Sequence, residues 1–384
     1  MKFDFDQPVD RAGSDSLKWA KYAGRDVIPL WVADMDFAAP PAVLEALRER
    51  VGHGVFGYNH PTASQVDAVV GHLARHFAWN VDPAWIVWLP GLVSGLNVAC
   101  RAAGEPGDAV FTATPIYSPF LGAPVDSGRR VVTAPLVRDS SGWLWDFPAV
   151  DAVLRGSAAK TFLLCHPHNP TGRVWSEDEL WQIAALAEKH DLVVCSDEIH
   201  NGLLLDPGCR HRVFATLSPE LAARTITLMA PSKTYNIPGL GAAFAIISDP
   251  ALRRRFHAAM HGIVPHVNAL GMAAMEAALA QCDDWHAALL DYLRGNARTL
   301  ERTVAALPGL DMRPIEATYL AWIDARDFAA DHGVDNPVRH FEQHGLGLSD
   351  GAEFGAPGFV RLNFGTRRVL LDEALARLAR AVRC

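Results

Sequence analysis

The sequence lacks the features of a nucleic-acid-binding or membrane protein. Its 384 residues carry 35 Lys and Arg against 43 Asp and Glu, a formal net charge of −8, with no basic stripe or run of like charge. Neither nucleic acid nor an anionic membrane surface is therefore expected as a partner. No uninterrupted apolar stretch reaches the roughly 20 residues that span a bilayer. The acidic start, MKFDFDQPVD, lacks the apolar run of a secretory signal.

Cysteine is scarce and scattered. The six cysteines, at 100, 165, 195, 209, 282 and 384, include no Cys-x-x-Cys pair. This spacing is typical of reduced thiols in a cytosolic protein rather than of a disulfide scaffold or a zinc site. The segments HPH at 166–168 and DMD at 34–36 have neither zinc nor calcium spacing. We therefore expect a cytoplasmic protein without a metal ion.

The apolar residues that are present indicate an α/β fold. Hydrophobic residues make up 50% of the chain, which is ample for a buried core. Between about residue 85 and residue 250, short apolar runs alternate with helical patterns, as in strands joined by crossover helices. The runs that predict strands are 85–90, 109–114, 161–165, 192–198, 225–230 and 242–248.

The helical patterns and the two chain ends suggest a second unit. The segment 176–190 predicts a helix with Ser176 as N-cap and Glu179 as its capping-box partner, and 40–51 predicts a helix begun by proline. The last hundred residues mix amphipathic helices with short strands such as TYLAWI and GFVRLNF. We expect a smaller α+β domain built from residues 1–48 and 286–384, and a large domain over residues 49–285.

Polar segments follow four of the predicted strands. They are 114-TPIYSPF-120, 166-HPHNPTGR-173, 197-DEIHNG-202 and 229-MAPSKTYNIPGLG-241. Because ligands bind at the carboxyl ends of parallel strands, these segments predict one site on a shared rim. The rim offers an amine, a carboxylate, an amide and an aromatic ring, a set that suits a planar, charged, nitrogen-containing ligand better than a metal ion.

These motifs resemble the fold-type I pyridoxal-phosphate enzymes of the class I/II aminotransferase superfamily. Within them, the chain is similar to the branch of cystathionine β-lyases and cysteine C–S lyases. The resemblance rests on GSDSLKW at 13–19, PLWVADMDF at 29–37 and GVFGYNHP at 54–61, followed by HNPTGR, SDEIH, SKTYNIPGL and VRLNFGT in the same order. It implies pyridoxal 5'-phosphate as cofactor and a mostly parallel seven-stranded sheet flanked by helices.

The resemblance implies catalytic roles for three residues. Lys233 forms the Schiff base with the cofactor and takes the substrate α-proton once it is displaced. Asp197 ends a buried strand, where an unpaired carboxylate is costly, so that it needs a cation such as a protonated pyridine nitrogen; the alternative is a carboxylate that caps the next turn. Tyr117 is expected to lie over the pyridine ring; the alternative is a core aromatic.

Further residues are expected to hold the cofactor. The segment 90–103 opens a helix after the first strand, so that the amides of Val93 and Ser94 are candidates for the phosphate, with a hydroxyl from Ser232. By resemblance, Tyr58 reaches the phosphate from the partner subunit of a homodimer with shared active sites. Asn169 is expected to contact the phenolic oxygen of the cofactor.

Arg361 is the candidate for substrate recognition. It lies in the strand-like FVRLNF, where an inward arginine is expensive unless it is paired. Together with Asn169 it is expected to bind the α-carboxylate of a small sulfur-containing amino acid; the alternative is a structural salt bridge.

Three positions depart from related enzymes. Relatives often have Asn where His166 stands, so the resemblance does not predict the contacts made by that loop. For His200 two roles stay open, contact with the cofactor ring oxygen or burial in the core. Aminotransferases commonly have arginine where this chain has Gly241, so that the phosphate contacts differ from those of the aspartate-type enzymes.

The expected function is a C–S β-lyase that cleaves cystathionine or related cysteine S-conjugates to a thiol, pyruvate and ammonia. An aminotransferase, which shares the early steps, is the alternative, and WVADMDF favours the lyase. A regulatory protein-binding role is a further alternative.

Overall fold

The computed structural model describes residues 3–11, 13–140 and 142–383. Its helices are α1 Leu17–Ala20, α2 Pro41–Gly52, α3 Ala63–Phe77, α4 Leu92–Ala103, α5 Pro119–Asp126, α6 Phe147–Ser157, α7 Glu177–Lys189, α8 Pro219–Ala223, α9 Pro250–Met260, α10 Ala269–Gln281, α11 Asp283–Ala305, α12 Arg326–His332, α13 Pro337–Gln343 and α14 Arg368–Ala381. Among these residues, none of the helices has the length and apolar character needed to cross a bilayer.

The strands alternate with the helices along most of the chain. They are β1 Ile28–Pro29, β2 Ile86–Leu89, β3 Ala109–Thr114, β4 Arg130–Pro135, β5 Val137–Arg138, β6 Trp143–Leu144, β7 Ala159–Cys165, β8 Val193–Asp197, β9 Thr225–Met229, β10 Ala243–Ile246, β11 Asp311–Met312, β12 Leu320–Asp324, β13 Leu346–Gly347, β14 Ser349–Asp350 and β15 Phe359–Asn363.

A seven-stranded sheet forms the centre of the molecule. Its strand order is β2-β10-β9-β8-β7-β3-β4. All neighbours are parallel except β10, which runs antiparallel to β2 and β9. Two clusters of buried apolar side chains pack against the sheet, one with Phe111 and Phe162, the other with Val110 and Leu163. Neighbouring residues of one strand point to opposite faces, so both faces are buried. The predicted α/β fold with a mostly parallel sheet is confirmed.

The sheet contains one strand that no apolar run predicted. The six predicted runs all form strands of this sheet, and β4 is the seventh. It lies at the edge, and only Ala134 among its residues is buried. An edge strand is covered less than a central strand, so its sequence has no continuous apolar run to reveal it.

Two helices begin where capping residues in the sequence predicted. Ser176 accepts a hydrogen bond from the backbone N–H of Glu179, and the Glu179 carboxylate accepts one from the N–H of Ser176, which confirms the predicted capping box. Helix α2 begins at Pro41, where the missing N–H is no loss.

A second, antiparallel sheet has the order β11-β12-β15-β14. Beside it, β1 near the start of the chain pairs in parallel with β13 near its end. Helix α11 runs without a break through residue 285. The domain limits at residues 48 and 285 stay a prediction.

Candidate active site

One cavity of about 300 Å³ lies at the carboxyl ends of the central strands. Thr114, Cys165, Asp197 and Met229 are the last residues of β3, β7, β8 and β9. The polar segments after these strands converge because parallel strands end at one edge of the sheet. The predicted site residues that line the cavity are Val93, Ser94, Tyr117, Asn169, Asp197, His200, Ser232, Lys233 and Arg361.

Lys233 is directed inward from the turn that follows β9. Its Nζ donates a hydrogen bond to the carbonyl oxygen of Ala33 at 2.6 Å. Burial, together with the charge of Arg361, lowers the pKa of Lys233 to about 8, although the charges of Asp34 and Asp197 act in the opposite direction. A lysine with this pKa is partly neutral near pH 7, as a nucleophile or general base must be.

Asp197 is a buried carboxylate that lacks a cationic partner. It is 5% exposed and accepts a hydrogen bond from the backbone N–H of Ile199 at 3.1 Å. Burial raises the pKa of Asp197 to about 7, although the bond from Ile199 and the charge of Lys233 lower it. Within the described residues it forms no ion pair. A cation beside this group would compensate its burial and keep it ionised.

Arg361 and Asn169 form a second polar group in the cavity. One guanidinium nitrogen, Nη1, donates to Asn169 Oδ1 at 3.0 Å, and Nη2 donates to the carbonyl oxygen of Trp31 at 3.0 Å. Nε has no partner, and no carboxylate lies within salt-bridge distance in the part of the chain that the structure describes. Burial lowers the pKa of Arg361 to about 10, so the group stays charged at neutral pH. A buried cation without an anion favours a carboxylate ligand.

His200 and Tyr117 are neutral hydrogen-bonding groups. His200 is 2% exposed, and burial lowers its pKa to about 3. Its Nδ1 has no hydrogen-bond partner among the described residues. Burial also raises the pKa of Tyr117, whose hydroxyl therefore stays protonated. The neutral imidazole can donate to or accept from a ligand, whereas a protonated one could only donate.

The N-terminus of α4 is suited to an anion. Its N-cap is Gly91, no side chain in the described part of the chain caps it, and its first turn holds no acidic residue. Val93 and Ser94 line the cavity there, and Ser232 adds a hydroxyl. The first backbone N–H groups of a helix lack partners within the helix, and the helix dipole favours negative charge.

These groups fit pyridoxal phosphate, the cofactor that the resemblance implies. The unpaired Asp197 suits a protonated pyridine nitrogen, and the uncapped end of α4 suits a phosphate. The free Nδ1 of His200 suits a polar ring substituent. Lys233 provides an amine for an aldehyde in the same cavity.

Two residues from the sequence analysis lie elsewhere. Tyr58 is fully exposed, in the loop between α2 and α3, and does not line the cavity of this chain. His166 is fully buried and stacks on His211, with 4.4 Å between ring centroids. Its Nε2 lies 3.2 Å from the carbonyl oxygen of Arg212.

One wall of the cavity comes from a segment that no sequence pattern had placed there. Residues 30–37, which we term the strap, pass beside Lys233, and Val32 and Ala33 line the cavity. The Asn236 side chain binds the backbone of Met35 and Phe37. The strap coincides with the motif LWVADMDF, which indicated the family and favoured the lyase but predicted no position in the fold. That coincidence was the one signal that could have located it.

A buried ion network holds the strap. Asp36 binds Lys18 at 2.9 Å and Arg11 at 2.8 Å, and Arg11 also binds Asp34 at 2.6 Å. Lys18 and Asp36 are both almost fully buried. The DMD segment is therefore part of a salt-bridge network, and within residues 3–11, 13–140 and 142–383 no cluster of metal-ligating side chains is present.

Known proteins match this chain over nearly its full length. Residues 25–378 match the family model of aminotransferase class I and II. Cystathionine beta-lyase PatB of Bacillus subtilis (strain 168) is 36% identical over 387 residues, which cover 99% of this chain and all of the relative. The crystal structure of OvoB is similar with a TM-score of 0.95 and 46% identity, covering 99% of both chains. The PLP-bound C-S lyase from Staphylococcus hominis has a TM-score of 0.94 and 29% identity, covering 100% of this chain and 98% of the other.

Proposed function

Because the chain belongs to the class I and II aminotransferase family, we propose that it is a pyridoxal-phosphate-dependent carbon–sulfur β-lyase. Its substrate is cystathionine or a related cysteine S-conjugate, and its products are a thiol, pyruvate and ammonia. The relatives named cystathionine beta-lyase and C-S lyase, similar over nearly the full chain, support this activity. The observation that carries it is the joint presence of Lys233, Asp197 and Arg361 in one cavity.

The chain's own residues would hold the cofactor in this cavity. Asp197 would pair with the pyridine nitrogen, and the amides of Val93 and Ser94 with the Ser232 hydroxyl would bind the phosphate. Tyr117 would lie against the ring, and Asn169 or His200 would contact its oxygen. When bound, pyridoxal phosphate supplies a conjugated electron sink for the electron pair left at the substrate Cα.

Lys233 would act as the proton carrier. Its pKa of about 8 leaves a useful neutral fraction near pH 7, so that Nζ can remove the proton from the substrate Cα. The Cβ–S bond then breaks, the thiolate leaves, and the same Nζ holds a proton for the leaving sulfur. Water completes the balance: substrate and water give thiol, pyruvate and ammonia.

Arg361 would orient the substrate. Its guanidinium is fixed by the bonds to Asn169 and Trp31, so a carboxylate meets a preorganised cation. A substrate held by its α-carboxylate presents Cα to Lys233 in one orientation, which limits the entropy lost in reaching the transition state.

Pyruvate release without an added keto acid tests the function. The purified chain with pyridoxal phosphate should release pyruvate and thiol continuously from cystathionine or from a panel of S-substituted cysteines. Lys233→Ala should abolish that release. An aminotransferase would instead stop after about one turnover, because its cofactor stays aminated until a keto acid is supplied. Such a stall would contradict the lyase assignment.

We also propose a homodimer located in the cytoplasm. The free thiols of Cys100, Cys165, Cys195, Cys209 and Cys282 support a reducing compartment, and Cys384 lies outside the described residues. The exposed Tyr58 supports a contribution to the phosphate site of the partner subunit.

A further inference from the structure

The carbonyl oxygen of Ala33 accepts two hydrogen bonds that meet beside the active-site lysine. Lys233 Nζ donates at 2.6 Å, and the Tyr319 hydroxyl donates at 3.0 Å. Tyr319 is fully buried. Its ring lies edge-on to His200 at 6.4 Å between centroids, so it stands at the margin of the cavity. No sequence motif predicts a role for this tyrosine.

The strap keeps the Ala33 carbonyl in place. The amide of Asn363 donates to the carbonyl oxygens on both sides of it, at 2.6 Å to Val32 and 2.8 Å to Asp34. Asn236 binds the strap further along, from a backbone conformation with φ of 54°. A carbonyl whose neighbours are both bonded cannot turn away without breaking those bonds.

The backbone on both sides of Tyr319 is also held in place. The preceding Thr318 is fully buried and has φ of 74°, a conformation that is strained for a β-branched residue. Its hydroxyl oxygen accepts a bond from the N–H of Leu320 at 3.1 Å, and the carbonyl of Tyr319 accepts one from Phe364 at 2.9 Å. Strained residues of this kind persist where the surrounding structure requires their geometry. The contacts around Thr318 therefore fix the orientation of the Tyr319 side chain.

We propose that the Ala33 carbonyl and the Tyr319 hydroxyl form a docking site for the Lys233 amine, and that Tyr319 is a positioning residue for this base. The proposal rests on the role of Lys233 given under the proposed function. Donation of one N–H to Ala33 fixes the direction of the amine and leaves its lone pair free for the substrate proton.

The tyrosine has a definite electrostatic effect in this arrangement. The positive end of its O–H dipole points at the Ala33 oxygen and shares that acceptor with the lysine. This weakens the attraction of the carbonyl for an ammonium group and therefore favours the neutral amine. Loss of the hydroxyl should raise the pKa of Lys233, which burial holds at about 8.

The pH dependence of lysine acylation in the cofactor-free chain tests the proposal. Tyr319→Phe should raise the midpoint for acetylation of Lys233 by acetic anhydride by about half a pH unit, as read by peptide mass spectrometry. Tyr235→Phe is the matched control. It also removes a buried hydroxyl, two residues along the chain from Lys233, but that hydroxyl has no hydrogen-bond partner among the described residues. Its midpoint should equal that of the unmodified chain.

Turnover of the cofactor-loaded enzyme gives a second measurement. Tyr319→Phe should lower kcat about three- to tenfold with little change in KM, the range expected for one lost hydrogen bond. Tyr235→Phe should change neither. An unmoved acylation midpoint in folded Tyr319→Phe would overturn the docking site, even with normal pyruvate release. If Tyr319→Phe shifts the midpoint but the wild-type enzyme releases no pyruvate, the docking site stands and only the lyase assignment is refuted.

A variant of the strap covers the case in which Tyr319→Phe does not fold. Asn363→Ser removes the two amide bonds that fix the Ala33 carbonyl, so the ammonium loses a well-placed acceptor and the midpoint should fall. A fall supports the docking site, and an unchanged midpoint refutes it.

Discussion

The charged groups of the cavity are poorly compensated by the chain itself. Asp197 and Arg361 are each 5% exposed and bound mainly to neutral groups, and Lys233 donates to a backbone carbonyl. Buried charges without an opposite charge nearby destabilise the ligand-free protein, and they become favourable when a ligand supplies the opposite charges. The residues thus describe the ligand in outline: a cation near Asp197, an anion near Arg361, and an electrophile within reach of Lys233.

Asp197 gives a pH-dependent prediction for the cofactor-free chain. Its pKa in the folded chain, about 7, is above the ordinary 3.8, so the folded state binds a proton more tightly than the unfolded state. The stabilisation is complete below the ordinary value and is lost as the pH rises through 7. Asp197→Asn cannot titrate. Between about pH 5 and 7.5 the wild-type unfolding free energy should fall by about 2 kcal/mol more than that of the variant.

Urea unfolding at the two pH values provides the measurement. Burial also raises the pKa of Glu198 to about 7. Its contribution to the pH dependence of the unfolding free energy is the same in both proteins and cancels when they are compared. Parallel changes in the two proteins would mean that Asp197 is already ionised in the folded chain at low pH.

At the level of elements, the strap connects the N-terminal segment to the catalytic rim. Helix α1 carries Lys18, whose Nζ binds the Asp36 carboxylate and the Asp34 carbonyl. Strand β15 carries Arg361 and Asn363, which bind the strap from the other side. The position of Ala33 beside Lys233 therefore depends on elements from both ends of the chain.

Lys18→Met should destabilise the folded chain by about 3 kcal/mol, the lower end for breaking a buried ion pair, because Arg11 still faces Asp36. Thermal or urea unfolding measures the loss. The control is Lys189→Met, which removes an exposed partner of Asp151 and should change stability far less. Adding Asp36→Asn to Lys18→Met should restore part of the loss, since it removes the buried charge left behind. Equal losses for the two lysine variants would contradict this role of the pair.

At the scale of the whole molecule, the loop that carries Tyr58 is exposed and apolar. Val55 is 61% exposed, Phe56 is 58% exposed, and Tyr58 is fully exposed. Clustered exposed apolar side chains commonly mark an interface. In the proposed homodimer, the second copy of the chain would cover this loop, and Tyr58 would reach the neighbouring cavity.

Subunit complementation tests that arrangement. Lys233→Ala and Tyr58→Ala homodimers should each be inactive or nearly so, whereas a mixed dimer should contain one site with both intact residues. Activity should therefore reappear after subunit exchange, measured as pyruvate release. Verified mixed dimers that stay as inactive as their parents would show that Tyr58 does not act across the interface.

The sequence by itself determined the central sheet and the contents of its rim. The apolar runs are long because both faces of the sheet are buried, and the polar segments converge because parallel strands end at one edge. Lys233, Asp197 and Asn169 could therefore be assigned to one cavity before any coordinates were known. Arg361 could be assigned there only through the resemblance, because it lies on a strand of the other sheet.

Only the tertiary structure decided what surrounds these residues. The edge strand β4 is too exposed to carry an apolar signature. The contact between Lys233 and Ala33 joins positions 200 residues apart, and Tyr319 lies 286 residues from Ala33. The acceptor in both contacts is a backbone carbonyl, a group that every residue carries, so no side-chain pattern can reveal it. The sequence specified which chemical groups are available, and the packing of both chain ends against the rim determined how the lysine among them is held.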